Sequence, residues 1–165
     1  MSLKITLKPH ERVIIGGAVI TNGNTRSEMI VENSVPILRD KDIMSEKNAD
    51  SPCKRIYFVI QLMYVDEKNL TEHHKTYWRL VQDVVKAAPS MIYLIDQISQ
   101  QILSSRYYQA LKAAKKLIAY EQEVIEHVRT STGGISGGSK DDSLRKAGRG
   151  IGPDKRRSLA SAVPE

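Results

Sequence analysis

Two adjacent histidines, His73 and His74, and the lone cysteine, Cys53, are the side chains best suited to catalysis or metal binding. Neighbouring residues of a helix point about 100° apart, so we do not expect these two imidazoles to chelate one metal together. Cys53 lies near the start of a predicted helix, a position that favours a thiolate, but the sequence pairs it with no general base. We therefore predict a protein that is not an enzyme and that uses no metal or other cofactor.

Basic side chains in the N-terminal third of the chain are suited to a different chemistry, the binding of RNA phosphates. Cations attract the phosphates, and unpaired bases stack on aromatic or guanidinium planes. Lys4 and Lys8 project from one face of a predicted strand, and Tyr57 and Phe58 follow two cations at the start of a predicted helix. From residue types alone, a solvated strand face with the aromatic side chains in the core is the favoured interpretation. The candidate RNA-contact residues are Lys4, Lys8, Arg12, Arg26, Lys54 and Arg55.

Composition indicates a globular protein with a basic excess. The chain has 165 residues, of which 41% are hydrophobic, and a net charge of +6. A single cysteine excludes an intramolecular disulfide and fits a reducing compartment. No stretch approaches the roughly 20 apolar residues of a membrane-spanning helix, so we predict a cytoplasmic protein without membrane contact. Residues 131–165 hold seven of the 25 basic side chains and are the more basic part per residue.

Alternating apolar and polar residues predict short strands in the first 40 residues. Residues 3–8 alternate strictly, with apolar side chains on one face and polar, mostly basic, side chains on the other. Further strands are predicted over 12–15 and 18–21. The turn signal Asn22-Gly23-Asn24 then predicts a partner strand over 25–32. An extended piece over 35–38 completes a small antiparallel sheet of about four strands.

From residue 51 the apolar spacing becomes helical. Ser51 and Pro52 are typical of a helix start, and the first helix is predicted to reach residue 65. A second helix spans 71–88 and stops before Pro89, a third begins at Ser90, and a fourth covers 107–129. Residues 103–106 contain no strong helix breaker, so a single bent helix is the alternative for the last two.

The predicted fold class is α+β, with a small N-terminal antiparallel sheet followed by a half of three to four helices. One domain over residues 1–130 has a β-rich part (1–40) and a helical part (51–130). Glycines, serines and basic residues dominate positions 131–165, which predicts a disordered basic tail. The tail's cations either follow a phosphate backbone or only keep the chain in solution.

Ordered blocks in the first 64 residues resemble the flagellar FlbT family. They are the opening Leu3-Lys-Ile-Thr-Leu-Lys-Pro9, then Gly17-Ala-Val-Ile20, Ala49-Asp-Ser-Pro52, Lys54-Arg-Ile-Tyr-Phe58 and Ile60-Gln-Leu-Met-Tyr64. Several such blocks in the right order are much more specific than one short motif. The resemblance does not extend to residues 131–165.

The resemblance implies a post-transcriptional regulator of flagellin expression, in the usual case a repressor. FlbT-like proteins associate with the 5′ untranslated region of flagellin mRNA and promote its decay or block its translation. The partner expected for this chain is therefore a flagellin mRNA leader, which turns the interpretation of the basic residues toward RNA. The alternative is an adaptor that acts through another flagellar regulatory protein, using exposed apolar stripes of residues 91–128.

Overall fold

The computed structural model describes residues 2–132, and the first part of this region consists of short antiparallel strands. Strand alternation therefore predicted the N-terminal strands correctly. The predicted tail of residues 131–165 lies outside the described residues, except for residues 131 and 132, which belong to the last helix. The strands are β1 (Leu3–Leu7), β2 (Arg12–Ile15), β3 (Ala18–Thr21), β4 (Ser27–Val31) and β5 (Ile37–Arg39).

The strands form two small sheets, whereas the sequence predicted one. β1 pairs with β4, and a second sheet has the order β3-β2-β5. The expected pairing of β3 with β4 across Asn22–Asn24 is wrong. The Asn22 amide donates instead to the carbonyl oxygens of Lys8 and Thr25, at 2.8 and 2.9 Å, and its oxygen accepts from the Ser27 hydroxyl at 2.7 Å. These bonds tie the loop to the end of β1, so β4 enters the fold beside β1.

Four helices follow, and a short 3-10 turn at Asp40–Asp42 comes before them. Ser51 caps the first helix by accepting the Lys54 N–H at 3.2 Å. The third and fourth helices are separate, because Ser105 between them adopts a left-handed φ of 56°. No helix among residues 2–132 is long and apolar enough to cross a membrane. The helices are α1 (Pro52–Val65), α2 (Leu70–Ala87), α3 (Ile92–Leu103) and α4 (Tyr107–Thr132).

The main core surrounds α1, which packs against α2 and α4, while α4 also packs against α3. The apolar side chains at helical spacing on α1 are buried, and so are most of those on α3. The first apolar residue of α3, Ile92, and the last one of the α4 stripe, Val128, do not enter the core, since they are 57% and 58% exposed. A smaller core between the strands contains Ile5, Leu7 and Val13. The helical stripes therefore serve mainly to build the domain.

Candidate nucleic-acid interface

The two predicted lysines of the first strand occupy different surroundings. Lys4 on β1 forms an ion pair with Glu28 on β4, with 2.8 Å between Nζ and Oε2, and both side chains are more than half exposed. Such exposed pairs contribute at most about 1 kcal/mol, so a phosphate can replace the carboxylate. Lys8 lies just beyond the end of β1. It is exposed, and its ammonium has no ion-pair partner among the described residues.

Carboxylates neutralise the region around Arg12. Its Nε lies 3.0 Å from Oδ1 of Asp40, an exposed ion pair of the same weak kind as that of Lys4 with Glu28. The Glu11 carboxylate accepts hydrogen bonds from the Lys8 backbone N–H and the Arg39 guanidinium, which lower the pKa of Glu11 below its usual range. This end of the second sheet therefore carries mixed charge, where the sequence suggested a basic face.

The remaining predicted cations lie apart from one another. Lys54 pairs with Asp50 one turn back at 2.8 Å, and Arg55 donates to the backbone oxygen of Ala49 at 3.4 Å. Arg26 is exposed in the loop before β4. Tyr57 is buried and donates its hydroxyl to the Asp42 carbonyl at 2.6 Å, and burial raises its pKa. Tyr57 is thus a core side chain that offers no stacking surface to RNA.

Three clefts that share lining residues extend from Lys4 to Lys54, between residues of the strands, α1 and α4. The first cleft is lined by Lys4, Arg39, Tyr64 and Tyr108. Tyr108 also lines the second cleft, whose other residues include Lys41 and Lys112, and the third cleft continues from Lys41 to Lys54. We call these three clefts together the Tyr108 groove. Its polar and aromatic lining comprises Lys4, Arg39, Lys41, Asp42, Lys54, Tyr57, Tyr64, Tyr108, Lys112 and Lys115.

Positive charge predominates in the Tyr108 groove. Six cationic side chains line it, against a single carboxylate, Asp42, which is paired with Lys115. Lys41 and Lys112 are exposed, and neither has a carboxylate partner among residues 2–132. Lys4 and Lys54 form ion pairs with exposed carboxylates, of the weak and exchangeable kind, whereas Arg39 and Lys115 are held by the largely buried carboxylates of Glu11 and Asp42. The groove is therefore suited to a polyanion that supplies several phosphates in a row.

The structure brings only part of the predicted set together. Lys4 and Lys54 line the Tyr108 groove, and Lys8 lines an adjoining cleft that shares Arg39 and Lys41 with it. Arg12, Arg26 and Arg55 are not among the lining residues of these clefts.

Sequence reasoning missed the contribution of α4. Tyr108, Lys112 and Lys115 are spaced four and three residues apart, which places them on one helix face, so the sequence does contain this signal. The positions of Arg39 and Lys41 had no comparable local signal, because they depend on the pairing of β5 with β2.

The residues considered for catalysis have ordinary structural roles. Burial, reinforced by Glu121, raises the pKa of the Cys53 thiol to about 12, so it stays protonated at neutral pH. His73 Nε2 lies 3.1 Å from the Asp66 carboxylate. His74 Nε2 lies 3.4 Å from the Tyr107 hydroxyl oxygen. Within residues 2–132 no three His, Cys, Asp or Glu side chains are arranged to hold a metal ion.

Comparison with known families identifies the domain that carries the groove. The model of the family described as "Flagellar protein FlbT" matches residues 3–125. The chain belongs to the FlbT family. The match includes every residue that lines the Tyr108 groove and ends before the Gly/Ser-rich segment. The resemblance seen in the first 64 residues is thereby confirmed and extended through most of the helical half.

Curated FlbT proteins match along most of their length. The chain is 46% identical over 125 residues to "Probable flagellum biosynthesis repressor protein FlbT 1" of Bradyrhizobium diazoefficiens, covering 75% of this chain and 85% of that protein. It is 34% identical over 141 residues to "Flagellum biosynthesis repressor protein FlbT" of Caulobacter vibrioides, covering 83% of this chain and 100% of that protein. No solved structure matches the chain.

Proposed function

We propose that this chain is a non-catalytic, cytoplasmic repressor of flagellin expression that binds the 5′ untranslated region of flagellin mRNA. Its similarity to flagellum biosynthesis repressors of the FlbT family supports the process. The Tyr108 groove is the observation that carries the molecular part of the proposal. It combines a row of cations with exposed aromatic surface, the two features that proteins use to hold RNA strands.

The charges of the groove explain how a small domain can hold RNA. Lys41 and Lys112 are available without breaking an ion pair, and the weak pairs of Lys4 with Glu28 and Lys54 with Asp50 can be exchanged for phosphates. Each neutralised phosphate releases counterions, which favours binding and makes it sensitive to salt.

Repression needs no catalytic group in this mechanism. A leader held in the groove is physically covered, so ribosomes are kept from their site. A leader held in an open conformation is also exposed to cellular nucleases. Both routes lower flagellin synthesis through binding alone.

Fluorescence anisotropy tests the proposal. The full chain is titrated onto a labelled flagellin leader RNA and onto a scrambled RNA of equal length, over a series of salt concentrations. We expect selective binding of the leader, with a log–log slope of about −0.7 for each phosphate contacted on a single strand. The double variant Lys41→Ala/Lys112→Ala should weaken binding about tenfold or more, since it removes two unpaired cations.

A matched control separates position from net charge. Arg79→Ala/Lys86→Ala removes the same charge from exposed sites on α2, which do not line the groove. This variant should bind the leader nearly as the unmodified chain does. Equal weakening in the two double variants would mean that the groove has no special role, and equal binding of leader and scrambled RNA would refute the leader-binding proposal.

A second candidate function, an adaptor for another flagellar regulatory protein, is favoured by the end of α4. Ile125 is 43% exposed and Val128 is 58% exposed, beyond the part of α4 that packs in the core. In this case the purified chain alone would not bind the leader. Ile125→Ser/Val128→Ser would abolish repression in cells, whereas Lys41→Ala/Lys112→Ala would leave it intact.

A further inference from the structure

Tyr108 is an exposed aromatic residue at the point where clefts of the groove meet. It lies in the first turn of α4 and lines both the cleft that contains Arg39 and the cleft that contains Lys112. Tyr108 is 37% exposed, whereas the neighbouring core residue Tyr57 is only 2% exposed. Part of the Tyr108 ring is therefore accessible to a molecule that occupies the groove.

The Tyr108 ring packs against the ring of a second tyrosine, Tyr64. The ring of Tyr64 on α1 lies 5.8 Å from that of Tyr108, centroid to centroid, with 41° between the planes. The Tyr64 hydroxyl accepts the Ile37 N–H at 3.2 Å, which ties this pair of rings to β5. Contacts to three different elements hold the aromatic surface in place, so a ligand that stacks on it pays little in conformational entropy.

Cations lie on the route across Tyr108. The Lys112 ammonium is 4.7 Å from the centre of the Tyr108 ring, and the lysine side chain is exposed. Base stacking on an aromatic ring outweighs an exposed cation–π contact, so a base can displace this lysine, which then reaches a neighbouring phosphate. Arg39 and Lys4 line the adjoining cleft. A strand that crosses Tyr108 thus meets cations before and after the ring.

This arrangement distinguishes unpaired from paired RNA. Cations alone attract the phosphates of both forms, but the faces of duplex bases are covered by their stacked neighbours. We infer that the Tyr108 groove binds unpaired nucleotides, with one base stacked on Tyr108 and the flanking phosphates held by Lys112 and Lys4. The inference rests on the proposed RNA-binding function and specifies the form of RNA that the site takes.

The experiment compares one RNA sequence in its two forms. The full chain is titrated onto a single-stranded RNA of about 12 nucleotides that carries 2-aminopurine near its centre, and onto the same strand in a duplex. We expect the single strand to bind at least about tenfold more tightly, with quenching of the 2-aminopurine fluorescence as it stacks. Tyr108→Ala should weaken binding of the single strand about tenfold and leave binding of the duplex unchanged. Tyr108→Phe should retain the affinity, because a phenyl ring also stacks.

Two controls make the result specific. Tyr93→Ala removes a tyrosine that is 52% exposed on α3 and should leave RNA binding unchanged. Tyr108→Leu keeps an apolar side chain against Tyr64 and should still weaken binding of the single strand, provided that circular dichroism shows a folded protein. Equal affinity for single strand and duplex, or a folded Tyr108→Leu variant that binds like the unmodified chain, would overturn the inference.

The flagellin leader, titrated in parallel, separates this inference from the proposed function. If the leader binds selectively and the Tyr108 variants bind it unchanged, the stacking inference fails and the regulator proposal stands. If the unmodified chain binds single strands through Tyr108 but does not prefer the leader, the proposed target fails and the stacking site stands. Absence of RNA binding in every titration contradicts both and favours a protein partner.

Discussion

Glu121 places a carboxylate from α4 against the start of α1. The side chain is only 7% exposed. Its Oε2 accepts the Ser51 hydroxyl at 2.5 Å, and its Oε1 accepts the Cys53 backbone N–H at 3.2 Å. Ser51 in turn accepts the Lys54 N–H, so the two residues together satisfy the free donors at this helix start. A negative charge is also favourable there, because the helix dipole is positive at its N-terminus.

Replacing Glu121 should therefore destabilise the domain. We expect Glu121→Ala to lower the free energy of unfolding by about 1–3 kcal/mol, since the buried Cys53 N–H and the partly buried Ser51 hydroxyl are left without their acceptor. Glu121→Gln should cost less, because the amide oxygen still accepts one hydrogen bond. Urea denaturation measures both, with Glu123→Ala as the control at an exposed position of the same helix. A Glu121→Ala variant as stable as Glu123→Ala would show that this cap contributes nothing to stability.

At the scale of elements, the turn between β2 and β3 is fitted closely against the end of α1. Gly16 and Gly17 have positive φ values of 56° and 86°, as a two-residue hairpin turn requires. A Cβ atom added to Gly17 would lie 3.0 Å from the Val65 carbonyl oxygen at the end of α1. Glycine at this position therefore serves both the turn and the packing of the strands on the helices.

We expect Gly17→Ala to lower the free energy of unfolding by about 1–2 kcal/mol from the backbone conformation alone, and further through the contact with Val65. Gly23→Ala is the matched control, since an added Cβ there meets nothing within 4 Å. The control should change stability by less than about 0.5 kcal/mol. Thermal unfolding followed by circular dichroism compares the two variants, and equal melting temperatures would disprove the close fit.

The elements themselves were largely predictable, but some of their pairings were not. Helical spacing and the Ser51 cap located α1 closely, because both signals are local. The Asn22-Gly23 signal was also local, yet the Asn22 side chain bonds to the end of β1 and redirects β4. The break before α4 had no glycine or proline to mark it, since Ser105 adopts the left-handed conformation. The strand pairing of β4 was therefore decided by contacts between residues distant in the sequence, which local signals do not reveal.

At the scale of the whole molecule, the candidate site exists only after the elements have assembled. Lys4 and Lys54 were recognisable as cations, but the groove that joins them is lined by residues of the strands, α1 and α4, which come together only in the folded domain. Arg12 illustrates the opposite case, because the fold pairs it with Asp40 and leaves it outside the groove lining. Residue type thus predicts which side chains are able to bind RNA, and tertiary contacts decide which of them are available.

The basic segment after the domain provides the last prediction. Among residues 2–132 the buried hydrophobic core residues lie between Ile5 and Leu117, so a chain that ends at Thr132 keeps this core and should unfold with nearly unchanged free energy. Residues 133–165 carry seven basic and four acidic side chains. Cations outside the groove add attraction to phosphates without reading the bases. We expect the shortened chain to bind RNA more weakly, with a log–log salt slope shallower by about 0.7 for each phosphate that this segment neutralises in the full chain.

The preference of the shortened chain for unpaired RNA over duplex should persist, because that preference depends on Tyr108 within the domain. A full-length variant with the seven basic residues of this segment replaced by glutamine separates the effect of charge from that of length. The shortened chain and the glutamine variant should have the same salt slope if the positive charge of this segment causes the difference from the unmodified chain. Disappearance of the single-strand preference in the shortened chain would instead assign part of the recognition to residues 133–165, and the Tyr108 groove would then be only one part of the binding surface.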